Sequence, residues 1–417
     1  MSGDALLGAA LSDESYFSNP YPLFAELRRE SPVFFSQHLG GWVVTRYNDV
    51  SEILHNHEDY SSKGRVLHLI QQLDEDVQAQ LPLLQMHFAT GLAHSDAPEH
   101  KRLRGLLAQA FTPKMAEAMR PITRDVVERV LGGLPPNVDL IADVFTPVPA
   151  LVVGRLLGSD ESDIPDLIRW AHAINGLYEK GGRIAPDKAL HAEAMLEEMR
   201  HFVVRLASQR RQLRDNGQLD AHADILSGLV NAELNGDALN ESELVSTAVT
   251  LFVAGHETTT HLLGNGALGL LATPGAVEQL RARAELIKSA VDEMARFDGS
   301  VPRSWRITKR EMEIAGAVIP QGQLVLPILA SANRDESIFE NPDSFEIERD
   351  SRKHLAFGRG VHVCLGAPLA RVEGEEILKV LLNKFSRIEV AVDSAELQWR
   401  RDVALRGLIA LPVNLEK

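Results

Sequence analysis

The stretch from Asn240 to Leu271 constrains the fold most. Asn240-Glu241-Ser242-Glu243 is a capping-type start, and the apolar residues behind it predict one helix running to about Leu271. At about 1.5 Å per residue such a helix is roughly 45 Å long, the width of a molecule this size. Leu244, Val245, Ala248, Val249, Leu251, Phe252, Val253 and Ala254, then Leu262, Leu263, Leu268, Leu270 and Leu271, cover most of its faces. A helix apolar nearly all round is either buried or membrane-spanning. His256, Glu257, three threonines and His261 at its middle make spanning costly, and Glu241 and Glu243 are poor interfacial anchors. The helix is therefore expected to cross a protein core.

A carboxylate and hydroxyls inside that core need a reason. Gly255-His256-Glu257-Thr258-Thr259-Thr260 joins a glycine to β-branched hydroxyl residues, all poor helix formers. Threonine hydroxyls can bond the carbonyl one turn back and bend a helix, so a local opening is expected here. A Glu-Thr step on a surface-facing helix would need no such account, but this one lies mid-helix in an apolar run.

The second constraint is Phe357-Gly358-Arg359-Gly360-Val361-His362-Val363-Cys364-Leu365-Gly366, which holds the only cysteine of 417 residues. Pro368 and the apolar spacing of Leu369, Val372, Ile377, Val380, Leu381 and Phe385 predict a helix immediately after it. A thiol just before a helix N-terminus meets unpaired N–H groups and the positive end of the dipole, which favour the metal-binding thiolate. Most lone cysteines are simply small buried hydrophobes. Zinc is disfavoured because His362 and Cys364 have no second pair at ligand spacing. Gly358-x-Gly360 is not a dinucleotide fingerprint, since the third glycine is out of register. One cysteine also excludes an intramolecular disulfide and fits a reducing compartment.

Phe-Gly-x-Gly-x-His-x-Cys-x-Gly resembles the haem-ligand loop of the cytochrome P450 family, and all six fixed positions match. Three further motifs follow in family order. Ala254 to Thr259 fits Ala/Gly-Gly-x-Asp/Glu-Thr-Thr/Ser; Glu293-Met294-Ala295-Arg296 fits Glu-x-x-Arg, with Arg349 as its completing arginine; His100-x-x-x-Arg104 fits the propionate-binding pair. The resemblance implies a mainly α fold with a smaller β-rich region (α+β), with haem b (iron protoporphyrin IX) between the central helix and the helix after the cysteine. It implies Cys364 as axial ligand and Thr258 and Glu257 as the catalytic pair. Thr258 would hydrogen-bond the oxygen being activated, and Glu257 would relay protons inward. Ala254, Gly255, Phe357, His362 and Gly366 would line the haem, and His100, Arg104 and Arg306 would hold its propionates, with Arg303 a competitor for the last position.

By the same resemblance the chain is a monooxygenase that inserts one oxygen atom into an apolar small molecule, by C–H hydroxylation or epoxidation. Its electrons would come from a ferredoxin and ferredoxin reductase, or a flavodoxin-type donor, docking near Arg352, Lys353, Arg359, Lys101 and Arg102. A peroxide-driven or isomerase-type haem-thiolate enzyme would share Cys364 without needing the Glu257–Thr258 pair. A non-catalytic haem sensor would be indifferent to Thr258→Ala.

The net charge of −15, from 43 basic and 58 acidic residues, argues against nucleic acid and anionic membrane as partners. Asp4 near the N-terminus and a short Ala5–Leu11 apolar run do not read as a signal peptide, so a cytoplasmic monomer is expected. A single domain over 1–417 is expected, β-rich near 32–47, 301–332 and 386–417. Along it, Pro20–Arg29 reads as a helix and Pro32–Tyr47 as a hairpin, with Val33-Phe34-Phe35 and Trp42-Val43-Val44 flanking Leu39-Gly40-Gly41. Tyr60–Ala93 is a weakly patterned connection that, by resemblance, covers the substrate pocket. Helical patterns cover Thr123–Gly133, Val138–Leu157, Ile164–Gly176, Asp187–Asn216 and Ala284–Phe297, with a break at Gly181-Gly182. The helices around that break resemble the family's lid helices. Pocket walls are expected from Tyr60–Ala93, Val249, Val253, Val301 and Leu405, with the Ala404–Leu408 turn touching substrate.

Overall fold

In the computed structural model, residues 2–177, 183–232 and 237–417 are described. Gly181 and Gly182 lie outside them. The expected central helix spans Glu241–Ala272. Its start is a capping box: Asn240 Oδ1 accepts the Glu243 N–H at 2.9 Å, and Glu243 Oε2 accepts that of Asn240 at 3.0 Å. From Leu244 to Ala267 nearly every side chain is buried, Phe252 completely. Two glycines let the Ile287–Asp298 helix and its neighbours close in. A Cβ on Gly266 would lie 2.5 Å from Met294, and one on Gly269 would lie 3.1 Å from Phe345.

Among the described residues, ten short strands make three sheets. Strands β1 (Val33–Ser36), β2 (Gly41–Val44), β3 (Tyr60–Ser61), β5 (Arg306–Thr308) and β8 (Leu324–Pro327) join in the order β1-β2-β8-β5-β3. Within this sheet β2 and β8 run parallel, Trp42 opposite Val325, which ties the N-terminal hairpin to a segment far along the chain. Strand β4 (Asn137–Asp139) pairs with β10 (Pro412–Glu416), which pairs in turn with β9 (Arg387–Val390). β6 (Met312–Ile314) and β7 (Ala317–Ile319) form a hairpin. Among the described residues the other regular elements are helices, and none of them is long and apolar enough to cross a membrane.

Two expectations are corrected. Val138–Leu157 is not one helix but strand β4, a π-turn over Ile141–Phe145 and a helix over Pro147–Leu157. Asp139 Oδ1 accepts the N–H groups of Ile141 and Leu411, which fixes the backbone to β10, and Pro147 suits a new helix start. The Phe145 carbonyl then accepts the Thr260 hydroxyl of the central helix at 2.8 Å. Tyr60–Ala93 is not a loose connection: after β3 it forms helices over Arg65–Ile70, Glu75–Gln78 and Pro82–Thr90. They are too short for a hydrophobic period to declare itself.

Candidate functional site

Cys364 lies between a tight loop and the helix Ala367–Lys384. Gly358 and Gly360 adopt left-handed φ values of 70° and 75°. A Cβ on Gly360 would also sit 2.8 Å from the Leu54 carbonyl, because the loop is pressed onto the Tyr47–His55 helix. The Cys364 N–H donates to the Phe357 carbonyl at 2.8 Å, closing the loop on itself. The cysteine keeps exposed surface on one side, yet protein surrounds the sulfur closely enough that burial pushes the thiol up. The N–H groups of Gly366 and Ala367, with Arg104 and Arg371, oppose that rise. Iron ligation would remove the thiol proton outright. A Cβ on Gly366 would be 3.9 Å from the sulfur, an ordinary contact, so the contribution of Gly366 is its N–H and not its missing side chain.

The cations predicted from sequence converge beside this loop. Arg104 donates to the Val363 carbonyl at 2.9 Å, and the His100 and His362 rings are 4.1 Å apart. His100 Nε2 is buried without a partner. Arg306 is buried and donates only to Ser304 Oγ and the Trp305 carbonyl; among the described residues no carboxylate pairs with it. Burial draws Arg306 down to about 10. Burial, then His100 and Arg306, draw His362 down to about 3. The nearest carboxylate, Asp96, is engaged by Ser61, Ser62 and Lys309. Buried donors this poorly paired fit a group that brings its own anions, as two propionates do. Arg303 lies apart, beside Tyr16, Phe17 and Arg406. Among the described residues no three His, Cys, Asp or Glu gather as a metal site, so Cys364 offers iron one protein ligand. The residues present fit haem b.

On the central helix, the break in burial is a single stripe. Between Leu244 and Ala267 only Thr250, Leu251, Ala254, Gly255 and Thr258 keep open surface, and Ala254 keeps the most. Val249 and Val253 are buried in the core instead: at 100° per residue they fall on the face away from Thr258. The helix stays continuous, with Thr258 and Thr259 bonding the Ala254 and Gly255 carbonyls at 2.5 and 2.8 Å.

Glu257 is not on the stripe. It is buried, with Oε1 2.8 Å from Arg400 Nη1 and 3.7 Å from His261 Nε2, while Oε2 accepts Asn175 Nδ2 at 2.5 Å. Burial raises its pKa, but His261, Arg400 and His172 outweigh that and hold it at about 2. Sequence reasoning found Glu257 but neither Asn175 nor Arg400.

The Glu293–Arg296 pair is fully buried and bidentate, at 2.7 Å for each bond. Glu293 also accepts from Arg349, Ser351 Oγ and the Glu346 N–H, and Arg296 donates to the carbonyls of Asn333, Pro342 and Ser344. Arg349 thus takes the place expected of it. Asn333 Oδ1 then accepts the Leu355 N–H, two residues before the loop's Phe357.

The cytochrome P450 family profile matches residues 184–401. The polyketide biosynthesis cytochrome P450 PksS of Bacillus subtilis is 33% identical, over 97% of this chain and 98% of that protein. The 6-deoxyerythronolide B hydroxylase of Saccharopolyspora erythraea is 32% identical, over 97% of this chain and 98% of that protein. The structure of cytochrome P450 CYP109Q5 from Chondromyces apiculatus superposes with a TM-score of 0.84 at 32% identity, covering 97% of each chain. Similarity over nearly the full length, joined to a pocket that fits haem b, means that the chain belongs to the cytochrome P450 family and is a haem-thiolate monooxygenase.

Proposed function

We propose that the chain, acting as one folded unit and a monomer in the cytoplasm, hydroxylates or epoxidises an apolar polyketide-class substrate with electrons from a ferredoxin-type donor. The carrying observation is the open stripe of Thr250, Leu251, Ala254, Gly255 and Thr258, an apolar surface carrying two hydroxyls. The polyketide class rests on the names of PksS and the 6-deoxyerythronolide B hydroxylase. Bound haem supplies the oxygen-activating oxidation chemistry. Cys364 would hold its iron through the thiolate sulfur and donate electron density to it. His100, Arg104 and Arg306 would hold its propionates, and Phe357, His362 and Gly366 would line the same side as Cys364. Ala254 and Gly255 leave room beside Thr258, whose hydroxyl orients the substrate side of the pocket and passes protons. For the donor, Lys101, Lys353 and Arg359 are exposed, whereas Arg352 is paired with Asp350 and Arg102 with Asp237 and Glu243.

The test has two arms. The reduced protein under carbon monoxide should give the thiolate-type absorption band, and Cys364→Ser should abolish it. A panel of macrolactones, steroids and fatty acids is then scored by the haem absorbance shift, macrolactones giving the tightest shift. If only fatty acids or steroids shift the band, the polyketide reading fails.

A further inference from the structure

A cavity with about 590 Å³ of empty space, part of it open to solvent, lies where the N-terminal helices meet the turn between Trp399 and Leu408. Space of that size admits a drug-sized ligand. Phe17, Phe24, Val43 and Ile328 make its apolar walls. None of its lining residues belongs to the Cys364 loop, the propionate cations or the open stripe of the central helix. Arg406 ties the helix Glu14–Ser18 to the turn, donating to the Phe17 and Ser18 carbonyls at 2.5 and 2.9 Å.

The polar part of the wall is lopsided. Three arginines line it, Arg303, Arg400 and Arg406, against one carboxylate, Asp402. The carboxylates paired with two of those arginines, Asp298 with Arg406 and Glu257 with Arg400, are not on the wall. Asp402 itself accepts the Ala404 N–H at 2.7 Å and has Arg400 Nη2 at 3.9 Å. The Tyr16 hydroxyl also lines the cavity and has no hydrogen-bond partner among the described residues. Burial pushes that hydroxyl up while Arg303 and Arg406 pull it back, so both guanidiniums stand close to it. Donors gathered at one end of an apolar cavity suit a ligand with an anionic head and an apolar body.

We propose that this cavity is a second ligand site that takes a carboxylate carried on an apolar chain, the carboxylate accepting from Arg303 and Tyr16 and the chain lying against Phe17, Phe24 and Ile328. A planar guanidinium meets a carboxylate in two parallel bonds, and the phenol adds a third donor. The site does not depend on which molecule the oxygenase turns over.

The test uses the haem-loaded full chain with its haem pocket filled by an iron-coordinating imidazole compound. Decanoate and decanol are then titrated by calorimetry. Decanoate should bind this blocked protein about tenfold or more tightly than decanol. Arg303→Gln should weaken decanoate about tenfold and Tyr16→Phe about threefold, and neither should move decanol by more than about twofold. Arg303→Lys should recover part of the loss. If the imidazole compound abolishes decanoate binding, the acid occupies the haem pocket and the second site is wrong. Equal binding of acid and alcohol, or binding of neither, overturns it as well. Should Arg303→Gln lower haem content, the ratio of the two affinities in the folded fraction still reports the guanidinium. An unchanged ratio in both Arg303→Gln and Tyr16→Phe sinks the carboxylate assignment.

Discussion

Two buried glutamates, Glu293 and Glu257, each meet an arginine, and the two pairs are built for opposite ends. Glu293 and Arg296 sit three residues apart on one helix, neither with any exposed side-chain surface, and surrounding backbone and side chains take up their remaining bonds. Glu257 and Arg400 meet across the molecule, and the arginine keeps a third of its surface and a second carboxylate within reach. The first pair stands behind the cysteine loop and leaves no alternative geometry. The second stands behind the open stripe and has one. The same ion pair is a rivet where every donor is spoken for, and adjustable where one partner borders a cavity.

The largest expected effect breaks the rivet. Glu293→Gln leaves Arg296 and Arg349 with an uncompensated buried charge and should cost about 3–5 kcal/mol in urea unfolding, with haem lost on purification. Retention of wild-type stability would show that the pair is no more than an ordinary contact. Gly360→Ala tests the loop it supports: a left-handed φ and a Cβ 2.8 Å from Leu54 O should together cost about 2 kcal/mol or more, read as a lowered melting temperature.

Arg400→Gln should cost only about 1 kcal/mol at neutral pH, because solvent already reaches the guanidinium and Glu257 can take up a proton instead. Its pH dependence sharpens the contrast. Glu257 is held at about 2 against an ordinary 4.5, so its stabilising contribution is complete above about pH 4.5 and is lost as pH falls toward 2. That acid-side slope should flatten in Arg400→Gln, as followed by thermal melts between pH 2 and 6. The smallest effect on folding belongs to Thr258→Ala, within about 0.5 kcal/mol, because its hydroxyl only bonds back to Ala254 O. Reductant use per product should nonetheless rise, since proton delivery loses its last hydroxyl; unchanged use would remove Thr258 from the chemistry.

Local chemistry made much of this legible in the sequence. The capped, apolar central helix, the Cys364 loop, and the Glu293–Arg296 pair with Arg349 all lie where residue type and spacing put them. The gathering of His100, Arg104 and Arg306 beside the cysteine loop was legible too, and Arg306 rather than Arg303 stands with His100 and His362. What escaped was long-range. Nothing local in Asn175 or Arg400 announces a partner on the central helix, because the fold, not the spacing, brings them to it. Counting 100° per residue from Thr258 already puts Val249 and Val253 on another face of the helix, where both are buried. The Val138–Leu157 misreading came from an apolar run whose Pro147 was available as a start signal.

Gly360 rests on Leu54 and His55, and strand β8 runs alongside β2. During synthesis the N-terminal hairpin and its helix leave the ribosome about three hundred residues before the loop that completes them. Such non-local closure is slow, so the early segments must wait with apolar surface uncovered. Capture of the prosthetic group through Cys364 therefore has to wait for that late loop.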